Sequence, residues 1–153
     1  MNSEQPWTLQ EVRDRVLLDH AAIRERFTSI ATCARGVLLG ETSSLSELQD
    51  AIWDLFVFFE QHLSLEEAHL APILHYVDSW GPFRVDHMRE EHAEQRKLLR
   101  NMVLESAWNT MDAKGLASEA TRLIKILQRD MANEEHDLIA LRDDGFDEAP
   151  MSG

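Results

Sequence analysis

The sequence predicts an all-α fold, an antiparallel four-helix bundle with up-down-up-down connections. Two observations carry this. Apolar residues recur at alternating steps of three and four along four long stretches, the period of a bundle seam. Short breaker-containing segments join those stretches, and six Gly and four Pro are too few for a many-turned β architecture. At 153 residues, 44% of them hydrophobic, the chain is long enough to bury a core without disulfides, so residues 1–153 are expected to form one domain.

Each helix has its own start and stop signals. The first, about 8–37, opens on Thr8 and Glu11, spaced as a capping box, and weakens at Gly36 and Gly40. The second, about 45–76, opens on Ser44 and Glu47 at the same spacing. The segment Asp78-Ser79-Trp80-Gly81-Pro82 is a turn, with Pro82 at a first helical position that needs no amide hydrogen, and the third helix runs over about 82–107. Asn109 to Gly115 form the next break. The fourth helix spans about 116–142, Gly145 stands where a left-handed cap would go, and 146–153 read as a frayed tail.

The formal charge of -13 argues against nucleic acid and anionic membrane surfaces as partners, since both share its sign. Cys33 is the only cysteine, so no intrachain disulfide forms, and its expected role is that of a small buried hydrophobe. Met1 to Trp7 carry no basic-then-apolar pattern, and no eighteen apolar residues run together. The expected location is cytoplasmic; oligomeric state leaves no signal.

The seams contain polar residues near one level. The first helix gives Val16, His20, Ile23, Phe27, Ile30 and Ala34, and the second Leu48, Ile52, Leu55, Phe59, His62, Glu66, His69 and Ile73. The third gives Met88, His92, Gln95, Leu99 and Met102; the fourth gives Leu116, Ala120, Leu123, Leu127, Asp130, Glu134 and Leu141. An internal repeat matches Asp19-His20-Ala21-Ala22-Ile23-Arg24 to Glu91-His92-Ala93-Glu94-Gln95-Arg96, and His62-x-x-x-Glu66-Glu67 to Asp130-x-x-x-Glu134-Glu135. Two related hairpins facing each other would bring His20, His62 and Glu66 against His92, Asp130 and Glu134.

Three carboxylates in apolar seams need positive charge beside them, and no Lys or Arg shares their stripe level. A metal pair is the simplest compensation. Residues four apart share a helix face, so His62 with Glu66, and Asp130 with Glu134, can serve neighbouring ions, Glu66 and Glu134 as bridges. Imidazole and carboxylate ligands suit iron, manganese or zinc. Six side chains around two ions leave open positions, which favours iron with a small ligand over closed structural zinc. His69, one turn beyond Glu66, is a further candidate for ligation or for lining the pocket. His87 points inward only if a π-bulge turns it. Glu67 and Glu135 are expected to face solvent or to pair with Arg24 and Arg96.

This ordered set resembles the hemerythrin-like, or HHE cation-binding, family over about residues 8 to 145: a His on the first helix, H-x-x-x-E on the second, a His on the third and a ligand pair on the fourth. Glu66-Glu67-Ala68-His69-Leu70-Ala71-Pro72-Ile73-Leu74 is also similar to the family's acidic pair followed by an apolar segment with proline. The resemblance implies a hemerythrin-like bundle holding two iron ions on His20, His62, Glu66, His92, Asp130 and Glu134. Oxygen-carrying hemerythrins have a second His four before the one on the third helix, where Met88 stands here. They also have an Asp five after the His on the fourth, where Leu141 follows His136. The pattern is closer to the di-iron domain of proteins that repair iron centres, with Asp130 replacing their last His; the cysteine-bearing N-terminal domain of those proteins has no counterpart in residues 1–7.

The expected function is binding of, or reaction with, dioxygen, nitric oxide or peroxide in sensing, detoxification or iron handling. One alternative is a di-iron oxidase or oxygenase acting on an organic substrate, which an enlarged cavity beside the metals would favour. The other is a metal-free helical interaction module anchored by Trp7, Trp53, Trp80 or Trp108.

Overall fold

The computed structural model describes residues 5–109 and 111–143. Helix α1 spans Leu9–Leu38 and α2 Ser44–Leu65; a π-helical turn, Glu66–Leu70, joins α2 to α3 at Ala71–Val77; α4 spans Gly81–Trp108 and α5 Ala113–Asp143. Helix α1 packs beside α2 and α5, and α4 closes the ring against α2, α3 and α5. The four-helix bundle is therefore the architecture.

Helix ends follow local chemistry, with two corrections. At Thr8 the capping box forms: Glu11 N donates to Thr8 Oγ1 at 3.1 Å, and Thr8 N donates to Glu11 Oε1 at 2.9 Å. The expected box at Ser44 does not form. Ser44 is already helical and donates its hydroxyl to Glu41 Oε1 at 3.3 Å, while Gly36 lets it sit so close that a Cβ there would overlap its side chain. Helix α5 starts at Ala113 rather than 116, because Asp112 Oδ1 accepts the Gly115 amide at 2.7 Å and acts as the cap. Asn109 ends α4 in the left-handed region, at φ 52°. The expected cap at Gly145 and the tail 146–153 lie outside the described residues. Cys33 is half-buried against the core rather than enclosed in it.

The π turn is the largest departure from the expected helices. Pro72 has no amide to give to Ala68, and in an α-helix its ring would press on that carbonyl. The chain widens before it, and the Ala71 amide reaches back five residues to Glu66. One extra residue turns all that follows by about 100°. Leu70, Ala71 and Leu74 consequently face the core, where unbroken periodicity expects His69 and Ile73. His69 lies instead flat against Trp7, ring centroids 3.9 Å apart.

Two apolar cores result. The larger joins Ile23, Phe27 and Ile30 of α1 to Leu55 and Phe59 of α2, Leu99 of α4 and Leu127 of α5; the smaller holds Val12, Val16, Leu70, Leu74, Val85, Met88, Leu138 and Leu141. Between them lies a layer of buried polar side chains. Because the π turn sets which face is buried, Leu70→Ala should destabilise by about 2–5 kcal/mol, and His69→Ala by about 1 kcal/mol, the worth of one stacked pair. Urea unfolding of both variants checks this; the reverse order would mean an unbroken helix.

Candidate metal centre

The polar layer is built from one or two residues per helix. His20 on α1, His62 on α2, Glu66 in the π turn and His92 on α4 are all at most 3% exposed. Glu134 on α5 closes the group at 20% side-chain exposure. One donor atom each from His20, His62, Glu66 and Glu134 falls within 4.8 Å of the others. Glu66 spans the layer, with Oε2 2.9 Å from His62 Nε2 and Oε1 2.9 Å from His92 Nε2. Glu134 Oε1 lies 3.0 Å from His20 Nε2. Asp130 lines the same small cavity but stands at its edge, accepting a hydrogen bond from Gln95 Nε2 at 3.1 Å, with Arg129 4.0 Å away.

The other ring nitrogens explain why these imidazoles are aimed inward. His20 Nδ1 meets Glu135 Oε2 at 2.6 Å, His62 Nδ1 meets Asp19 Oδ2 at 2.9 Å, and His92 Nδ1 meets Glu67 Oε2 at 2.8 Å. With the Nδ1 proton donated to a carboxylate, the neutral imidazole turns its Nε2 lone pair toward the cavity. Each of the three carboxylates is in turn held by an arginine: Arg24 on Glu135 at 2.9 Å, Arg15 on Asp19 at 3.1 Å and Arg96 on Glu67 at 2.6 Å. The outer charges are neutralised there. Among the described residues, Glu66 and Glu134 meet imidazoles and no Lys or Arg.

The titration behaviour follows from that imbalance. Burial alone would lower the His62 pKa, but the Asp19 and Glu66 carboxylates outweigh it and raise it to about 9. Burial and the adjacent Glu66 hold Glu134 well above the usual carboxylate range. Glu91, a neighbour that also lines the cavity, is raised by burial and by Asp130. The His20 pKa is lowered by burial.

A metal fits these donors. His20 Nε2 and Glu66 Oε2 are buried without a hydrogen-bond partner, although each lies within 3.0 Å of a polar neighbour. The contacts are close but not aligned as hydrogen bonds, as expected of donors pointed at a shared centre. Imidazole with carboxylate is a ligand chemistry of iron, manganese and zinc. Two expected residues are not brought in: His69 stacks on Trp7, and His87 is exposed on α4, which has no π-bulge to turn it. Sequence reasoning missed Asp19, whose partner His62 is on another helix; Arg15, four before it, was the available signal.

The metal-free layer sets a pH dependence. His62 binds its proton more tightly folded than unfolded, so its stabilising contribution is complete below about pH 6.5 and lost as pH rises through about 9. Glu134, also raised, loses its contribution in the same direction. Melting of metal-free protein should therefore fall between pH 6.5 and 9. Calorimetry checks this; a melting temperature that rises over that window would contradict it.

Residues 12–141 match the family model of the hemerythrin HHE cation-binding domain. No curated protein and no solved structure matches the chain. A match of that length, on a four-helix bundle with a buried His and Glu cluster, makes the chain a member of the hemerythrin HHE cation-binding family.

Proposed function

We propose that the polar layer holds two iron ions and that the protein binds or reacts with a small ligand such as dioxygen, nitric oxide or peroxide. The observation that carries this is Glu66, buried at 1% exposure, which directs one oxygen toward His62 and the other toward His92. A carboxylate disposed in that way is suited to bridging. His20 and His62 would hold one ion, His92 and Asp130 the other, with Glu66 and Glu134 between them. Iron in such a site supplies electrons and open coordination positions to a small ligand.

The chain's own residues do the rest. Asp19, Glu67 and Glu135 keep the Nδ1 protons and fix the ring planes. Phe59, Leu63 and Met131 line the layer with apolar surface. The second reading, a reaction on an organic substrate, has one observation in its favour: a larger cavity adjoins Glu134. For a metal-free interaction module, Trp53, Trp80 and Trp108 are exposed, but Trp7 is engaged with His69.

Protein loaded with ferrous iron without oxygen should contain two irons per chain. Asp130→Ala should lose one and Asp130→His keep both while shifting one reduction potential, since a carboxylate favours ferric iron more than an imidazole does. Asp19→Asn should weaken binding by roughly 10–100-fold. Iron counting and redox titration decide the matter: an Asp130→Ala variant with both irons and the unaltered titration removes Asp130 from the ligand set.

A further inference from the structure

Two exposed strips lie side by side on α2 and α4. Asp50, Trp53 and Val57 follow one another at steps of three and four, as do Lys97, Arg100, Leu104 and Trp108, so each set occupies one helix face. Trp53 and Trp108 are 55% and 73% exposed. A single exposed apolar side chain calls for no explanation, but two tryptophans with Val57 and Leu104 on neighbouring helices form a patch. Between the strips runs a groove of about 320 Å³, walled by Trp53 on α2 and by Val103 and Ala107 on α4. Gln49 closes its end, its Nε2 donating to Ser106 O at 3.0 Å and to Asn109 Oδ1 at 3.2 Å. Its Oε1 is left to accept from a visiting N–H.

The charges on the patch say what covers it. Asp50 on the α2 strip and Lys97 and Arg100 on the α4 strip are exposed, and none of them makes an ion pair among the described residues. Their neighbours are engaged: Asp54 holds Arg26 at 3.0 Å and Glu60 holds Arg96 at 2.9 Å. A partner must therefore offer a base to α2 and an acid to α4, and a second copy of this chain carries both on this face. When α2 of one copy lies on α4 of the other, each acidic strip meets a basic one. The face also carries a projecting indole, Trp108, and a groove with room for one. A surface that holds both halves of a contact is the requirement for a two-fold, self-complementary interface. We propose that this face joins two copies of the chain about a two-fold axis, with Trp108 of each copy entering the groove beside Trp53 of the other. The indole N–H then has Gln49 Oε1 as its acceptor. None of these residues belongs to the polar layer, so the association does not depend on iron.

Sedimentation equilibrium of the full chain, with and without iron, tests the proposal. Between about 1 and 100 µM it should show a reversible monomer–dimer equilibrium, the range of a standard interface of modest affinity. Trp108→Ala should weaken the dimer at least about tenfold, the loss expected of a buried tryptophan anchor, with the melting temperature of the monomer unchanged. Asp50→Arg alone should weaken it about threefold or more, and so should Lys97→Glu combined with Arg100→Glu; all three substitutions together should restore it. Tyr76→Ala, exposed at the far end of α3, should leave it as it is. A chain that stays monomeric throughout, a dimer indifferent to Trp108→Ala, or a triple variant no tighter than the charge variants that compose it would overturn the proposal. If Trp108→Ala does not fold, the charge exchange still decides. A dimer in a chain that takes up no iron sinks the di-iron reading and leaves this one standing.

Discussion

A buried glutamate without a lysine or arginine is the constraint on which the rest of the molecule depends. Glu66 sits between two apolar cores, and leaving a carboxylate there unpaired costs several kcal/mol. Two consequences follow from it. Histidines 20, 62 and 92 must point their Nε2 atoms inward, so their Nδ1 atoms need acceptors of their own. Those acceptors, Asp19, Glu67 and Glu135, are themselves charged and each recruits an arginine. The outer ring is balanced and the inner one is not, which is the electrostatic case for a cation in the middle.

The same constraint shapes the backbone. The π turn begins at Glu66, so the residue that needs the most accurate placement sits where the helix changes phase. Below it, the shifted phase sends Leu70 and Leu74 into the smaller core and leaves His69 to Trp7. A cavity lined by residues of α3, α4 and α5 reaches Glu134 at that end. The change of phase just below the site follows from one local deformation, with Pro72 as its chemical cause.

Much of this was legible in the sequence. The steps of three and four placed His20, His62, Glu66 and His92 in one layer, because seam periodicity holds wherever the helix is regular. It failed after Glu66, where Pro72 breaks the period, and His69 and Ile73 were put one residue out of phase. The pairing of Glu67 and Glu135 with arginines was readable from the repeat, but their second contacts, to His92 and His20, were not. Those link different helices, and periodicity says which face a residue occupies, never which neighbour it meets across the bundle. Asp19 was hidden for the same reason, and the start of α5 because Asp112 was taken as part of a break rather than as a cap.

Family membership covers the bundle and the cation-binding character of the domain. On the α4 and α5 side Asp130 accepts from Gln95, and Glu91 lines the same small cavity. The central claim is that Glu66 and Glu134 join two ions in one layer. X-ray absorption at the iron edge of the loaded protein tests it most directly. The account predicts an iron-to-iron vector of about 3.5–4 Å, with three imidazoles shared between two irons. Iron without an iron neighbour, or with no imidazole shell, would contradict it.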